Sequence, residues 1–314
     1  MLRPSLASLF LLCVLSSAQA QTRADLATPE ANAVARLAGC TAVLVTDLIL
    51  VTAAHCLNTA YRQEPPEDAK DICQRMPDHH GLQDHPKNDI GGWQEIQTSE
   101  RPRPSVVFGA TQDRRRRFET EIFQYALPRC ADIALLRLFR RVPAGVAKPL
   151  PVVTRIDPVP RTGATIFDAA ELRYAGWGFT AEGQPQASRQ TGRTGFWDQN
   201  GCMLYALPPQ RPDGQRILKG DSGSPLIISQ AGARAVVGIL FGLGEPDRDI
   251  CGKPKLRLPG EYGAYTPTWR PTPMGTDATD LGEWFRKLIP EAAITWPAGA
   301  MDTTKENGTA EVSQ

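Results

Sequence analysis

The chain has 314 residues, with 35 Lys and Arg against 34 Asp and Glu, a formal net charge of +1 and 41% hydrophobic residues. That length exceeds one average domain and suits either two packed β-barrels or one large α/β unit. The near-balance of charge excludes a global field that would draw the protein to nucleic acid or to an anionic membrane.

Residues 1–20 combine a positive start at Arg3, an apolar run from Leu9 to Leu15 and the small-residue site Ala18-Gln19-Ala20, the pattern of a removable signal peptide. The run is too short for a membrane span, and no later segment approaches the ~20 apolar residues one requires. The expected mature protein is soluble and secreted or periplasmic. Cys13 follows Leu11-Leu12 rather than a small residue and is not read as lipid-modified. Six cysteines then remain: Cys40, Cys56, Cys73, Cys130, Cys202 and Cys251. An even count in an exported chain favours disulfides, with the pairing left open, and the lack of any CxxC spacing speaks against a metal site.

Residues 21–37 are alanine-rich and polar and read as an N-terminal lead-in. Cys40 to Val45 and Leu48 to Thr52 are two β-branched strands around a turn at Asp47, ending in Ala53-Ala54-His55-Cys56. Residues 58–104, with Pro65-Pro66, many charges and Gly91-Gly92, read as a long surface insertion. Strands are expected again at Ser105 to Phe108, Thr120 to Tyr125 and Ile133 to Leu138, the last following Asp132, so residues 38–145 form a first β unit. After a proline-rich connection, Glu171 to Gly176, Pro225 to Ile228, Ala235 to Leu240 and Gly263 to Thr266 mark a second, 146–275. Leu281, Trp284, Phe285 and Leu288 recur at helical spacing, and Asp280 with Glu283 makes a capped start, predicting a helix within 276–290. Residues 291–314 are expected to be a disordered tail.

The stretch Gly220-Asp221-Ser222-Gly223-Ser224-Pro225 places a serine in a glycine-bounded turn. A serine hydroxyl is a poor nucleophile at neutral pH and needs an imidazole to take its proton and a carboxylate to orient that imidazole. Gly220 and Gly223 permit a tight turn that aims the N–H groups of Gly220 and Ser222 at a developing oxyanion. Each candidate has a plain structural reading: a polar turn at Ser222, a core histidine at His55, a turn acid at Asp132. The joint occurrence of Thr52-Ala53-Ala54-His55-Cys56, Asp132-Ile133-Ala134-Leu135-Leu136 and the Ser222 stretch, in the order His, Asp, Ser, changes the balance.

On these three motifs, with Ala175-Gly176-Trp177-Gly178 and Gly263-Ala264-Tyr265-Thr266 in support, the chain resembles the trypsin/chymotrypsin-like serine proteases from about Cys40 to Ile289. The resemblance implies an all-β fold of two six-stranded antiparallel barrels with a C-terminal helix and a site in the cleft between them. It further implies His55 as general base, Asp132 as its orienting acid, Ser222 as nucleophile, and an oxyanion hole at Gly220 and Ser222. A disulfide between Cys40 and Cys56 is implied in the same way, while Cys73 with Cys130 and Cys202 with Cys251 are guesses. No cofactor and no metal are expected. The partner is a protein or peptide substrate, with no nucleic acid, no membrane and no inhibitor that the sequence identifies.

The pattern departs from the family in two places. Arg216 stands where the family places the floor of the substrate pocket, with Leu243 and Gly263 beside it; an arginine there either binds an acidic side chain or points to solvent from a remodelled loop. Asp221 is present, but the Ile-Val-Gly-Gly amino terminus that the family pairs with this acid is absent. Either another group neutralises Asp221 or the turn is set differently. Arg114 to Arg117 and the histidines His79, His80 and His85 read as surface loops rather than as an anion or metal site. The rival reading is a catalytically inactive homologue that binds or regulates. A serine esterase is set aside, because it requires a Gly-x-Ser-x-Gly elbow and the order Ser, Asp, His.

Overall fold

The computed structural model describes residues 31–37, 39–58, 92–96, 103–109, 117–128, 131–157, 165–166, 171–177, 188–192, 195–197, 203–206, 220–230, 232–244, 262–269 and 280–297. A 3-10 turn at Ala31–Ala33 leads into β1 (Val34–Leu37), followed by β2 (Cys40–Leu44), β3 (Ile49–Thr52) and the one-turn helix α1 (His55–Asn58). β4 (Gln94–Glu95), β5 (Ser105–Phe108), β6 (Phe118–Ala126) and β7 (Ala134–Leu138) complete the first unit. The sheet runs β4-β6-β5-β1-β2-β3-β7, and β6 also pairs with β7. That last pairing closes a six-stranded antiparallel barrel, with β4 added to the outside of β6, and closure leaves those six strands no free edge.

Sequence dictates which side of each strand fills this barrel. The β-branched and leucine-rich strands place Leu37, Leu44, Leu50, Val106, Phe108, Ile122, Leu136 and Leu138 inside, each no more than 2% exposed. Register pairs such as Leu44↔Leu50 and Leu50↔Leu136 set these side chains opposite one another. Removing a side chain of this kind to alanine costs about 2–5 kcal/mol in a close-packed core.

The second unit contains β8 (Val152–Asp157), β9 (Thr165–Ile166), β10 (Glu171–Gly176), β11 (Ser188–Gly192), β12 (Gly195–Trp197), β13 (Leu204–Ala206), β14 (Pro225–Gln230), β15 (Ala233–Gly244), β16 (Tyr262–Pro267) and β17 (Ala293–Pro297). These form a ten-stranded sheet ordered β11-β10-β14-β15-β16-β13-β12-β9, with β8 paired to β15 and β17. The architecture is thus all-β with few helices, as expected. The second sheet is larger than six strands, and β8 pairs in parallel with both β15 and β17.

Helix α2 (Leu281–Leu288) starts at Asp280, whose Oδ1 accepts from the Glu283 N–H at 2.9 Å, the capping geometry read from the sequence. Its apolar face, Leu281, Trp284 and Phe285, buries against the same core cluster that fills the first barrel, together with Leu44, Leu150 and Val152. The C-terminal helix therefore ties the two units together by packing.

Three expected segments differ from what the structure contains. Val34–Leu37, expected as lead-in, is β1, bonded to both β2 and β5, and without it the barrel cannot close. Its four residues are too short to show a period. Gln94–Glu95 in the expected surface insertion pairs with β6, and Ile96 is 5% exposed; two polar strand residues beside one isoleucine leave no mark on the composition of a charged stretch. Ala293–Pro297, expected within a disordered tail, pairs with β8, and Trp296 is 4% exposed. Its partner strand is distant in sequence, so no local signal marks it.

Cys40 and Cys56 form a disulfide, Cα–Cα 6.0 Å, that links the start of β2 to α1 across a sequence separation of 16 residues. A loop of that size corresponds to about 3 kcal/mol in the chain-entropy account. The double replacement Cys40→Ala/Cys56→Ala should lower urea-unfolding stability by about that amount. A change well under 1 kcal/mol would show that the disulfide adds little to a barrel already closed.

Candidate active site

His55 sits where β3 ends. The Cys56 and Leu57 N–H groups bond back to the Ala53 and Ala54 carbonyls at 3.1 and 3.0 Å, so the chain turns sharply into α1 and carries the imidazole away from the barrel wall. β7 runs antiparallel to β3 with Thr52 opposite Ala134. Residues just after Thr52 and just before Ala134 consequently emerge at the same end of the strand pair, which brings Asp132 to His55.

The contact is two-pronged. Asp132 Oδ1 accepts the His55 backbone N–H at 2.8 Å and Asp132 Oδ2 lies 2.6 Å from His55 Nδ1. The carboxylate side chain is 0% exposed and the imidazole 34%. A buried carboxylate is costly unless its oxygens are satisfied, and here a single residue satisfies both. A carboxylate oxygen accepts, so Nδ1 is the donor in this contact, which leaves Nε2 as the ring nitrogen not engaged with Asp132. Thr266 Oγ1, from β16 of the second unit, donates to the Asp132 carbonyl at 3.4 Å.

The Ser222 turn is held from the first barrel by one fully buried threonine. Thr41 N–H donates to the Ser222 carbonyl at 2.8 Å, and Thr41 Oγ1 donates to the Gly220 carbonyl at 3.1 Å while accepting the Trp177 N–H at 2.9 Å. Thr52 Oγ1 donates to the Thr41 carbonyl at 2.6 Å. Cys56 Sγ touches the Ser222 carbonyl at 3.6 Å, a contact rather than a hydrogen bond because a disulfide sulfur has no proton. The residue next to His55 and the Ser222 turn are therefore in contact. Gly220 and Gly223 adopt φ of 92° and 83°, and a Cβ on Gly223 would stand 2.1 Å from the Thr41 carbonyl oxygen. That close approach requires glycine at 223.

Of the expected pocket residues, Leu243 and Gly263 are register partners on β15 and β16, while Arg216 lies outside the described residues. So do Cys73, Cys130, Cys202 and Cys251, and with them the two guessed pairings. Among the described residues, Cys40, His55 and Cys56 have donor atoms within 4.8 Å of one another, but the two sulfurs are bonded to each other and offer no thiolate to a metal. No helix among the described residues is long and apolar enough to cross a membrane.

The contacts that two residues make at the site are not legible in the sequence, although Phe241-Gly242-Leu243 stands where the resemblance places a wall of the pocket. Thr41 looks like one more strand threonine, and only the seam between the units reveals its role. Phe241 lies at the register shift between Leu240 and Gly242, and its ring stands edge-on to His55, centroids 6.2 Å apart. A bulge re-aims a side chain that regular pairing would direct elsewhere.

No protein-family model matches the chain, and no curated protein matches it. Among solved structures, it is similar to neuropsin, a serine protease expressed in the limbic system of mouse brain, at 19% identity over 76% of this chain and 91% of that one, with a TM-score of 0.42.

Replacing Thr41 tests the seam. Thr41→Val keeps the shape but strands the buried Gly220 carbonyl and Trp177 N–H, and should cost about 2 kcal/mol or more in urea unfolding. Thr41→Ser, which keeps the hydroxyl, should cost no more than about 1 kcal/mol. A Thr41→Val loss no larger than that of Thr41→Ser would show that the hydroxyl adds little to the seam.

Proposed function

We propose that the chain is an exported serine endopeptidase of the trypsin/chymotrypsin-like kind, hydrolysing peptide bonds through an acyl-enzyme on Ser222. The observation that carries this reading is the two-pronged Asp132–His55 contact, with the Ser222 turn seated beside it through Thr41 and Cys56. His55 Nε2 takes the Ser222 proton as the hydroxyl attacks a peptide carbonyl, and then returns it to the leaving amine. Asp132 holds the tautomer and stabilises the imidazolium that forms. The Gly220 and Ser222 N–H groups stabilise the oxyanion, and water releases the acyl group. The pairing of Leu243 with Gly263, close in sequence to Phe241, supports this part of the β15–β16 pair as a wall of the substrate cleft. The disulfide is compatible with an oxidising compartment.

An alkyl fluorophosphonate should label the purified protein, and Ser222→Ala should abolish labelling. Asp132→Asn should lower turnover by about 10⁴-fold, because the amide cannot accept from both His55 donors. Absence of labelling on properly matured protein would instead support an inactive homologue that serves as a binding module.

A further inference from the structure

Asp221, between Gly220 and Ser222, is fully buried, and the mechanism above assigns it no chemistry. A carboxylate in such a place is costly unless polar groups surround it, and its position in the turn makes its setting a matter for the turn. Its carbonyl accepts the Ser224 N–H at 2.9 Å, so the carboxylate and the Ser222 backbone are parts of one tight loop.

Two hydroxyls face it. Asp221 Oδ1, Ser224 Oγ and Tyr174 Oη lie 2.4, 2.4 and 2.7 Å from the point where a Cβ on Gly176 would stand. They converge on the space that a missing side chain leaves open, and any residue larger than glycine at 176 would drive them apart. Ser224 and Tyr174 are 0% and 4% exposed, and neither hydroxyl sits in hydrogen-bonding geometry with any partner. A buried donor without a partner is unfavourable, and Asp221 is the acceptor in front of both. Burial first, then the Asp221 charge, pushes the Tyr174 hydroxyl well above its ordinary range, and the same two causes raise that of fully buried Tyr265. Both phenols therefore keep their protons, and a protonated phenol is a donor.

The two hydroxyls differ in where they are anchored. Ser224 belongs to the turn and moves with Asp221. Tyr174 belongs to β10, locked in register opposite Leu226 of β14, two residues beyond Ser224, and β10 continues into Trp177, whose N–H bonds Thr41.

Resting on the proposed serine-nucleophile reading, we infer that Tyr174 is a positioning residue: its phenol anchors the Asp221 carboxylate to the second sheet and so sets the Gly220–Ser222 turn that receives the oxyanion. Tyr174 touches no reacting atom and acts through Asp221.

The test compares wild type, Tyr174→Phe, Asp221→Asn and the double variant, using p-nitrophenyl acetate hydrolysis, fluorophosphonate labelling and urea unfolding. Tyr174→Phe should lower kcat by about tenfold with KM changed by less than about twofold, since a misaimed oxyanion donor affects the transition state and not ester binding. In the Asp221→Asn background the same substitution should change kcat little, because the carboxylate it anchors is gone. An unchanged kcat for Tyr174→Phe, or the same fall in both backgrounds, would overturn the positioning role. So would a loss of unfolding stability with kcat intact, which marks a purely structural tyrosine. A wild type inert toward both probes overturns the serine-nucleophile reading and the positioning role with it. The unfolding cycle still decides the contact, additive losses refuting it and non-additive losses upholding it.

Discussion

The two halves of this protein meet at a buried threonine that has no polar group to spare. The Thr41 amide bonds the Ser222 carbonyl, its carbonyl receives the Thr52 hydroxyl, and its own hydroxyl bridges the Gly220 carbonyl and the Trp177 amide. Because Thr41 is a ladder residue of β2, opposite Arg36 of β1, these bonds fasten the Ser222 turn to a paired strand of the first barrel. Burial makes the arrangement strict, since each unpaired partner would carry a desolvation cost of about 1–3 kcal/mol. The Trp177 indole adds a second link, donating to the Val34 carbonyl at 3.0 Å.

The same logic governs the Asp132 carboxylate, fully enclosed and satisfied by two donors from a single residue. One histidine fills both positions only when its backbone and its ring face the carboxylate together, which the β3–β7 register and the turn into α1 arrange. Imidazole orientation is thus a consequence of the β3–β7 pairing. Phe241, at an irregularity of β15, adds a T-shaped aromatic contact to His55.

Apolar packing explains why the seam persists. A single cluster joins the interior of the first barrel with Val236 and Ile239 of β15 and with Leu281, Trp284 and Phe285 of α2. A smaller cluster containing Tyr174, Leu226, Val237 and Tyr265 fills the second sheet. Polar groups at the seam are therefore placed by strands that are themselves locked in packed cores, and small displacements of those strands would cost apolar contacts.

By itself the sequence determined the class of secondary structure, because β-branched alternation and the Asp280 cap are local, and it singled out His55, Asp132 and Ser222, because their motifs are short and contiguous. It also indicated the Cys40–Cys56 pair through resemblance rather than through spacing. Tertiary structure alone decided that Val34–Leu37 and Ala293–Pro297 are strands, since their partners lie far along the chain and four or five residues hold too little periodicity to declare themselves. It alone gave Thr41, Phe241 and Tyr174 their places. A threonine, a phenylalanine and a tyrosine in strands are unremarkable until the chain is folded and burial demands to know where each donor, acceptor and ring is directed.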